Sequence, residues 1–135
     1  MPHEFLEHTA DVRMRVTGRS LEELFSAAVA GVMDLLAPQS LGRGQASRRT
    51  VAVAAADETA LLVDFLNQVL LQAQVHRERY ERVAFTRLSG RELTAELQGW
   101  PVQAFGGDIK AVTYHEADVR RSEAGGWETN LVFDI

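Results

Sequence analysis

No cysteine occurs anywhere in this sequence. That absence removes disulfide staples, thiolate metal ligands and thiol nucleophiles together. Lysine is almost missing as well: of 14 basic residues only Lys110 is a lysine, and the rest are arginines. Aromatic residues make up 7% of the chain, and none alternates with basic residues in the manner of single-strand RNA binders. No apolar run approaches the roughly 20 residues needed to cross a bilayer. The start, Met1-Pro2-His3-Glu4, lacks the basic opening and apolar stretch of a secretion signal. A cytoplasmic protein with no membrane association is therefore expected. The net charge of −5 works against a broad phosphate-binding surface, so strong direct nucleic-acid binding is not expected.

What is present suits one compact domain. The 135 residues are 46% hydrophobic and 24% charged, and such a chain can bury a core without staples. Val12, Met14 and Val16 alternate with Arg13, Arg15 and Thr17, the period of a half-buried strand. Ser20 and Glu23 form a capping box ahead of a helix. Leu21, Leu24, Phe25, Ala28, Val29, Val32 and Leu36 give that helix one apolar stripe, and Pro38 stops it. Residues 39–49 read as a polar loop, with Arg43, Arg48 and Arg49 either solvated or facing an acidic partner.

Thr50 to Ala56 reads as a strand, and Asp57 as the cap of a second helix. Leu62, Phe65, Leu66, Val69 and Ala73 make its stripe; Leu61, Val63 and Leu71 widen the apolar arc. Arg77 and Arg79 suit its C-terminal end. Val83–Leu88 and Leu93–Gln98 form a hairpin pattern, 100–108 a loop, and Ala111–Arg120 with Trp127–Phe133 a final pair of strands. Late strands without helices between them exclude a doubly wound sheet. The expected fold is α+β: a two-layer sandwich, mostly antiparallel sheet with two helices on one face.

Two carboxylates stand out by their place on the pleat. Asp134 points away from the face shared by Leu131 and Phe133, and Asp11 away from that of Val12 and Met14. Ile135 is the last residue, so its α-carboxylate follows Asp134 directly. Three hard oxygen donors suit Ca²⁺ or Mg²⁺ better than a soft metal. Two surface aspartates and a frayed terminus fit the same pattern, and sequence does not reveal whether the strands meet. His8 could ligate a metal or act as a base; a simple exposed or hydrogen-bonded histidine fits equally, and the same holds for His115. His3 and His76 read as surface. No nucleophile elbow, P-loop or dinucleotide fingerprint is present.

Taken in order, five segments resemble one family. His8-Thr9-Ala10-Asp11, Ser20-Leu21-Glu22-Glu23-Leu24-Phe25, Leu61-Leu62-Val63-Asp64-Phe65-Leu66-Asn67, Ile109-Lys110-Ala111-Val112-Thr113-Tyr114-His115 and Leu131-Val132-Phe133-Asp134-Ile135 are similar to the motifs of the archeases. One departure is Val12-Arg13-Met14, where the family often has an apolar residue and then glycine. The resemblance implies an accessory protein, not an enzyme. Its partner would be a GTP-dependent tRNA-splicing RNA ligase that joins 3′-phosphate to 5′-hydroxyl ends, whose guanylylation and multiple turnover it promotes. It also implies a divalent cation, Ca²⁺ first with Mg²⁺ or Mn²⁺ as alternatives, on Asp11, Asp134 and the terminal carboxylate of Ile135. Lys110, His8 and His115 would face the partner or a nucleotide. The rival expectations are a stand-alone metal-dependent phosphate-ester hydrolase and a chaperone-like binding module.

Overall fold

The computed structural model describes residues 11–39 and 44–135. Strand β1 (Asp11–Gly18) runs into helix α1 (Leu21–Leu36). The capping box forms as the sequence dictates. The Glu23 amide donates to Ser20 Oγ at 3.1 Å, and the Arg19 amide donates to the Glu23 carboxylate at 3.2 Å. Ala37, in a left-handed conformation, closes the helix by donating to the carbonyls of Met33 and Asp34, so the turn ends one residue before Pro38.

After β2 (Pro38–Gln39) and β3 (Ser47–Ala54) comes α2 (Glu58–His76). The Asp57 side chain accepts from the Ala60 amide at 2.8 Å, satisfying one of the free donors at that helix start. Arg77 caps the other end in the left-handed region rather than lying inside the helix. The rest is strand: β4 (Glu78–Leu88), β5 (Glu92–Pro101), β6 (Ala104–Phe105), β7 (Ala111–Thr113), β8 (Arg120–Arg121) and β9 (Trp127–Asp134).

All strand pairs are antiparallel, and the fold is α+β. The strands divide among sheets: β1-β9-β7 with β8 also on β9, then β3-β5-β4, and the short pair β2-β6. Both helices lie across the two larger sheets, α1 against β1 and β4, α2 against β3 and β7. Phe25, Phe65 and Phe85 meet where α1, α2 and β4 converge, with ring centroids 5.9–6.4 Å apart. Phe25 and Phe65 are fully buried, as the stripes require.

Several boundaries differ from the pattern reading. The stretch 39–49 is not all loop, because Ser47–Arg49 extends β3 against Gly99, Gln98 and Leu97. Arg49 is not simply solvated: it forms a two-point ion pair with the buried Glu78. Arg48 is exposed, and Arg43 lies outside the described residues. The expected strand 111–120 breaks into β7 and β8 around a turn in which Glu116 takes a positive φ of 62°. Leu71, expected to widen the buried arc of α2, is 50% exposed. Among the described residues no helix is long and apolar enough to cross a membrane.

Candidate functional site

The first and last strands meet along their whole length, from Asp11 opposite Asp134 to Gly18 opposite Trp127. Register follows from the apolar alternation. Val12 faces Phe133, Met14 faces Leu131 and Val16 faces Thr129, all toward the helices. A one-residue slip would turn that set to solvent. The same register puts Asp11 and Asp134 side by side on the other face, because directly opposed residues of an antiparallel pair share a face.

Asp134 is exposed and Asp11 half-buried. Cross-strand neighbours hold their Cβ atoms roughly 4.5–5.5 Å apart, and two like charges so placed destabilise the pair. The same spacing lets two carboxylates reach one hard cation at about 2.3–2.6 Å. The donor chemistry therefore fits a divalent ion of the Ca²⁺ or Mg²⁺ type. Among the described residues no cluster of three His, Cys, Asp or Glu side chains is set to hold a metal. Asp11 and Asp134 are two donor side chains, short of such a cluster. Ile135 follows Asp134 directly and is 37% exposed.

Strand β7 brings the third flagged motif to the same place. Ala111 is the register partner of Asp134 on the side away from Asp11. The Lys110 amide donates to the Asp134 carbonyl at 2.7 Å, and its side chain is exposed. The backbone of the only lysine in the sequence is thus bonded to that of Asp134. His115, also exposed, lies past the end of β7 with Nε2 3.6 Å from Glu116. Arg13, the departure from the family pattern, extends to the same Glu116 at 3.1 Å. His8 and His3 lie outside the described residues.

Helix α2 fixes β7 from behind. The Asn67 side chain donates to the Val112 carbonyl at 2.8 Å and accepts from the Val112 amide at 2.9 Å, standing in for a neighbouring strand. Gln74 donates to the Ile109 carbonyl at 3.0 Å. The Tyr114 hydroxyl donates to Asp64, and that bond, with a smaller effect of burial, holds the phenol above its ordinary pKa. Two motifs distant in sequence, 61–67 and 109–115, are thereby one structural unit behind Asp134. Pattern reading had both motifs but not their contact, since a polar residue on a helix does not announce its partner.

A probabilistic profile of the Archease protein family matches residues 3–135. The chain belongs to the archease family. Relatives within it include the archease of Methanosarcina mazei, 29% identical over 98% of this chain and 95% of that one. That of Pyrococcus abyssi is 30% identical over 98% and 97%. Two solved structures share the fold. One is from Thermotoga maritima, described as an archease and possible chaperone, with TM-score 0.67, 22% identity and coverage of 100% and 98%. The other is the solution structure of Methanobacterium thermoautotrophicum protein 1598, with TM-score 0.70, 23% identity and coverage of 98% and 97%. The family assignment rests on sequence over nearly the whole chain; these structural likenesses speak to fold alone.

Proposed function

We propose that this archease is a metal-binding accessory protein that activates a GTP-dependent tRNA-splicing RNA ligase and is not itself an enzyme. The observation carrying this reading is the register pair Asp11–Asp134 with Lys110 bonded to its backbone. Asp11, Asp134 and the carboxylate of Ile135 hold a divalent cation, Ca²⁺ first among the candidates. Such an ion supplies a concentrated positive charge that attracts phosphate or carboxylate oxygens. The surrounding residues present that charge to a partner. Among the described residues the pair sits at the end of a sheet with Asp134 exposed, where a partner can reach it.

Lys110 is a compact point charge with three rotatable donors, suited to a nucleotide phosphate or an acidic group of the ligase. His115, exposed past the end of β7, is a further partner contact, as is His8, which lies outside the described residues. A chaperone-like module is the second reading; it would use the apolar side chains exposed among the described residues, Leu71, Val75, Tyr114 and Ile135.

The test is ligase guanylylation and multiple-turnover ligation with limiting ligase, adding the protein or its Asp11→Ala, Asp134→Ala and Lys110→Ala variants. Either aspartate substitution is expected to remove stimulation, and Lys110→Ala to reduce it by tenfold or more, as for loss of a charged hydrogen bond of about 1.5–3 kcal/mol. Undiminished stimulation by all three variants would overturn the reading.

A further inference from the structure

Arg13 follows Asp11 by two residues, and β1 places both side chains on the outer face of its sheet. The register sets Asp11 opposite Asp134 and Arg13 opposite Val132. Arg13 is thus the diagonal neighbour of Asp134, a separation of roughly 7–8 Å that a long side chain spans. A guanidinium starting there has two carboxylates within reach and five N–H donors to offer them.

The Arg13 side chain goes elsewhere. It meets the Glu116 carboxylate at 3.1 Å. Glu116 belongs to the turn after β7, where it takes a positive φ of 62° and the Ala117 amide donates to the Tyr114 carbonyl. Strand β7 runs from Ala111, opposite Asp134, to Thr113, opposite Val132. The chain therefore reaches Glu116 by moving away from the aspartates. Because β9 lies between β1 and β7, the ion pair bridges across it. Val132, register partner of both Arg13 and Thr113, is buried although it shares the outer face.

The other arginine of β1 repeats the arrangement, since Arg15 goes to Glu128 at 3.3 Å. Each arginine of this strand is matched by a glutamate from another element, and neither is paired with an aspartate. His115 also approaches Glu116, at 3.6 Å from its own turn.

We propose that Glu116 is a positioning residue for cation binding at the Asp11–Asp134 pair, given the metal-binding reading on which this rests. By engaging Arg13 it keeps that guanidinium off two carboxylates that the arginine would otherwise occupy in competition with a divalent ion. The Arg13–Glu116 pair is largely in solvent, so the energies exchanged are small. The effect on affinity is a few-fold change, and salt should shrink it.

The experiment titrates the full chain, freed of metal by chelator, with Ca²⁺ in a calorimeter at about 0.1 M salt, where charges are screened beyond about 10 Å. The Asp134 amide NMR signal localises the ion. Glu116→Gln is expected to weaken binding about three- to fivefold, the size of an exposed ion pair. Arg13→Ala should bind at least as tightly as the parent, and adding Glu116→Gln to it should cost less than about twofold. Glu128→Gln makes the same charge change six residues along β9 from Asp134, roughly 20 Å away, and should also cost less than about twofold. Lys110 is the same in every variant compared. In chelator, the Arg13 side-chain NMR signal should respond to Asp134→Asn in Glu116→Gln protein and not in the parent. Equal affinity of the parent and Glu116→Gln would overturn the proposal. So would a loss that persists in full in Arg13→Ala protein, because Glu116 would then act through its charge alone; the metal reading would stand in both cases. No Ca²⁺ response at Asp134 in the parent up to about 10 mM, above the usual range of protein Ca²⁺ sites, would sink the metal reading itself and this role of Glu116 with it.

Discussion

Two charged pairs on this molecule join strands of its antiparallel sheets, Arg49–Glu78 across the intervening β5 and Asp11–Asp134 as direct register partners, yet they are built in opposite ways. Arg49 and Glu78 form a two-point ion pair at 2.8 and 2.9 Å, with the Tyr80 hydroxyl donating to the same carboxylate at 2.9 Å. Glu78 and Tyr80 are buried. Asp11 and Asp134 oppose each other with like charge at an exposed sheet end. The first pair is neutralised within the chain and closes the core. The second brings two like charges together, with no ion pair to either among the described residues.

The largest expected effect comes from breaking the neutralised pair. Arg49→Ala leaves Glu78 buried with only the Tyr80 hydroxyl. A fully buried pair broken on one side costs about 3–5 kcal/mol; because Arg49 is partly open to solvent, about 2–3 kcal/mol is expected in urea unfolding. Ligase stimulation per folded molecule should be unaffected. The pair also sets an acid limb. Hydrogen bonds from Arg49 are the main influence holding the Glu78 carboxyl below its ordinary pKa, against the opposing effect of burial. A lowered folded-state value means stability present above the unfolded value, about 4.3, and lost as pH falls through the folded one. Glu78→Gln should flatten that limb, which unfolding curves between about pH 5 and pH 2 would show.

Next in size is the support behind the unneutralised pair. Asn67→Ala leaves the amide and carbonyl of Val112 without partners in a buried position. An unsatisfied buried polar group costs about 1–3 kcal/mol. The sharper readout is local: the amides of Val112 and Lys110 should exchange with deuterium faster than those of β3 and β5. Equal protection would show that β7 is positioned by β9 alone.

How much of this was legible beforehand depended on whether the signal was local. Ser20 with Glu23, Asp57 and the two apolar stripes state their roles within one or two helical turns, and both helices appear as read. The pleat alone put Asp11 and Asp134 off the core face. That they oppose each other is a matter of pairing between strands more than 100 residues apart, which no local pattern encodes. The ion pair of Arg49 is not legible locally, because its partner, 29 positions on, starts β4.

The third effect is a gain on binding. If the carboxylates hold Ca²⁺, the ion at about ten times its Kd stabilises the folded state by RT ln 11, about 1.4 kcal/mol. Thermal unfolding with Ca²⁺ against chelator measures it directly. The gain should vanish in Asp11→Asn and Asp134→Asn and persist in Arg49→Ala. An equal gain in all of them would mean that the ion binds elsewhere.

The smallest effect separates the two pairs most cleanly, because it has the opposite sign from every other substitution considered. Without metal, Asp134→Asn removes one of two like charges opposed across the strands while keeping shape and burial. Cross-strand charge pairs contribute roughly 0.2–1 kcal/mol, so the variant should be more stable than the parent by about 0.5 kcal/mol in chelator at low salt. The difference should shrink as ionic strength rises and shortens the range of the repulsion. In saturating Ca²⁺ the order should invert, the parent regaining its lead through the bound ion. A variant less stable than the parent under both conditions would mean that the Asp134 carboxylate is already neutralised within the chain, leaving no charge there for an external cation to meet.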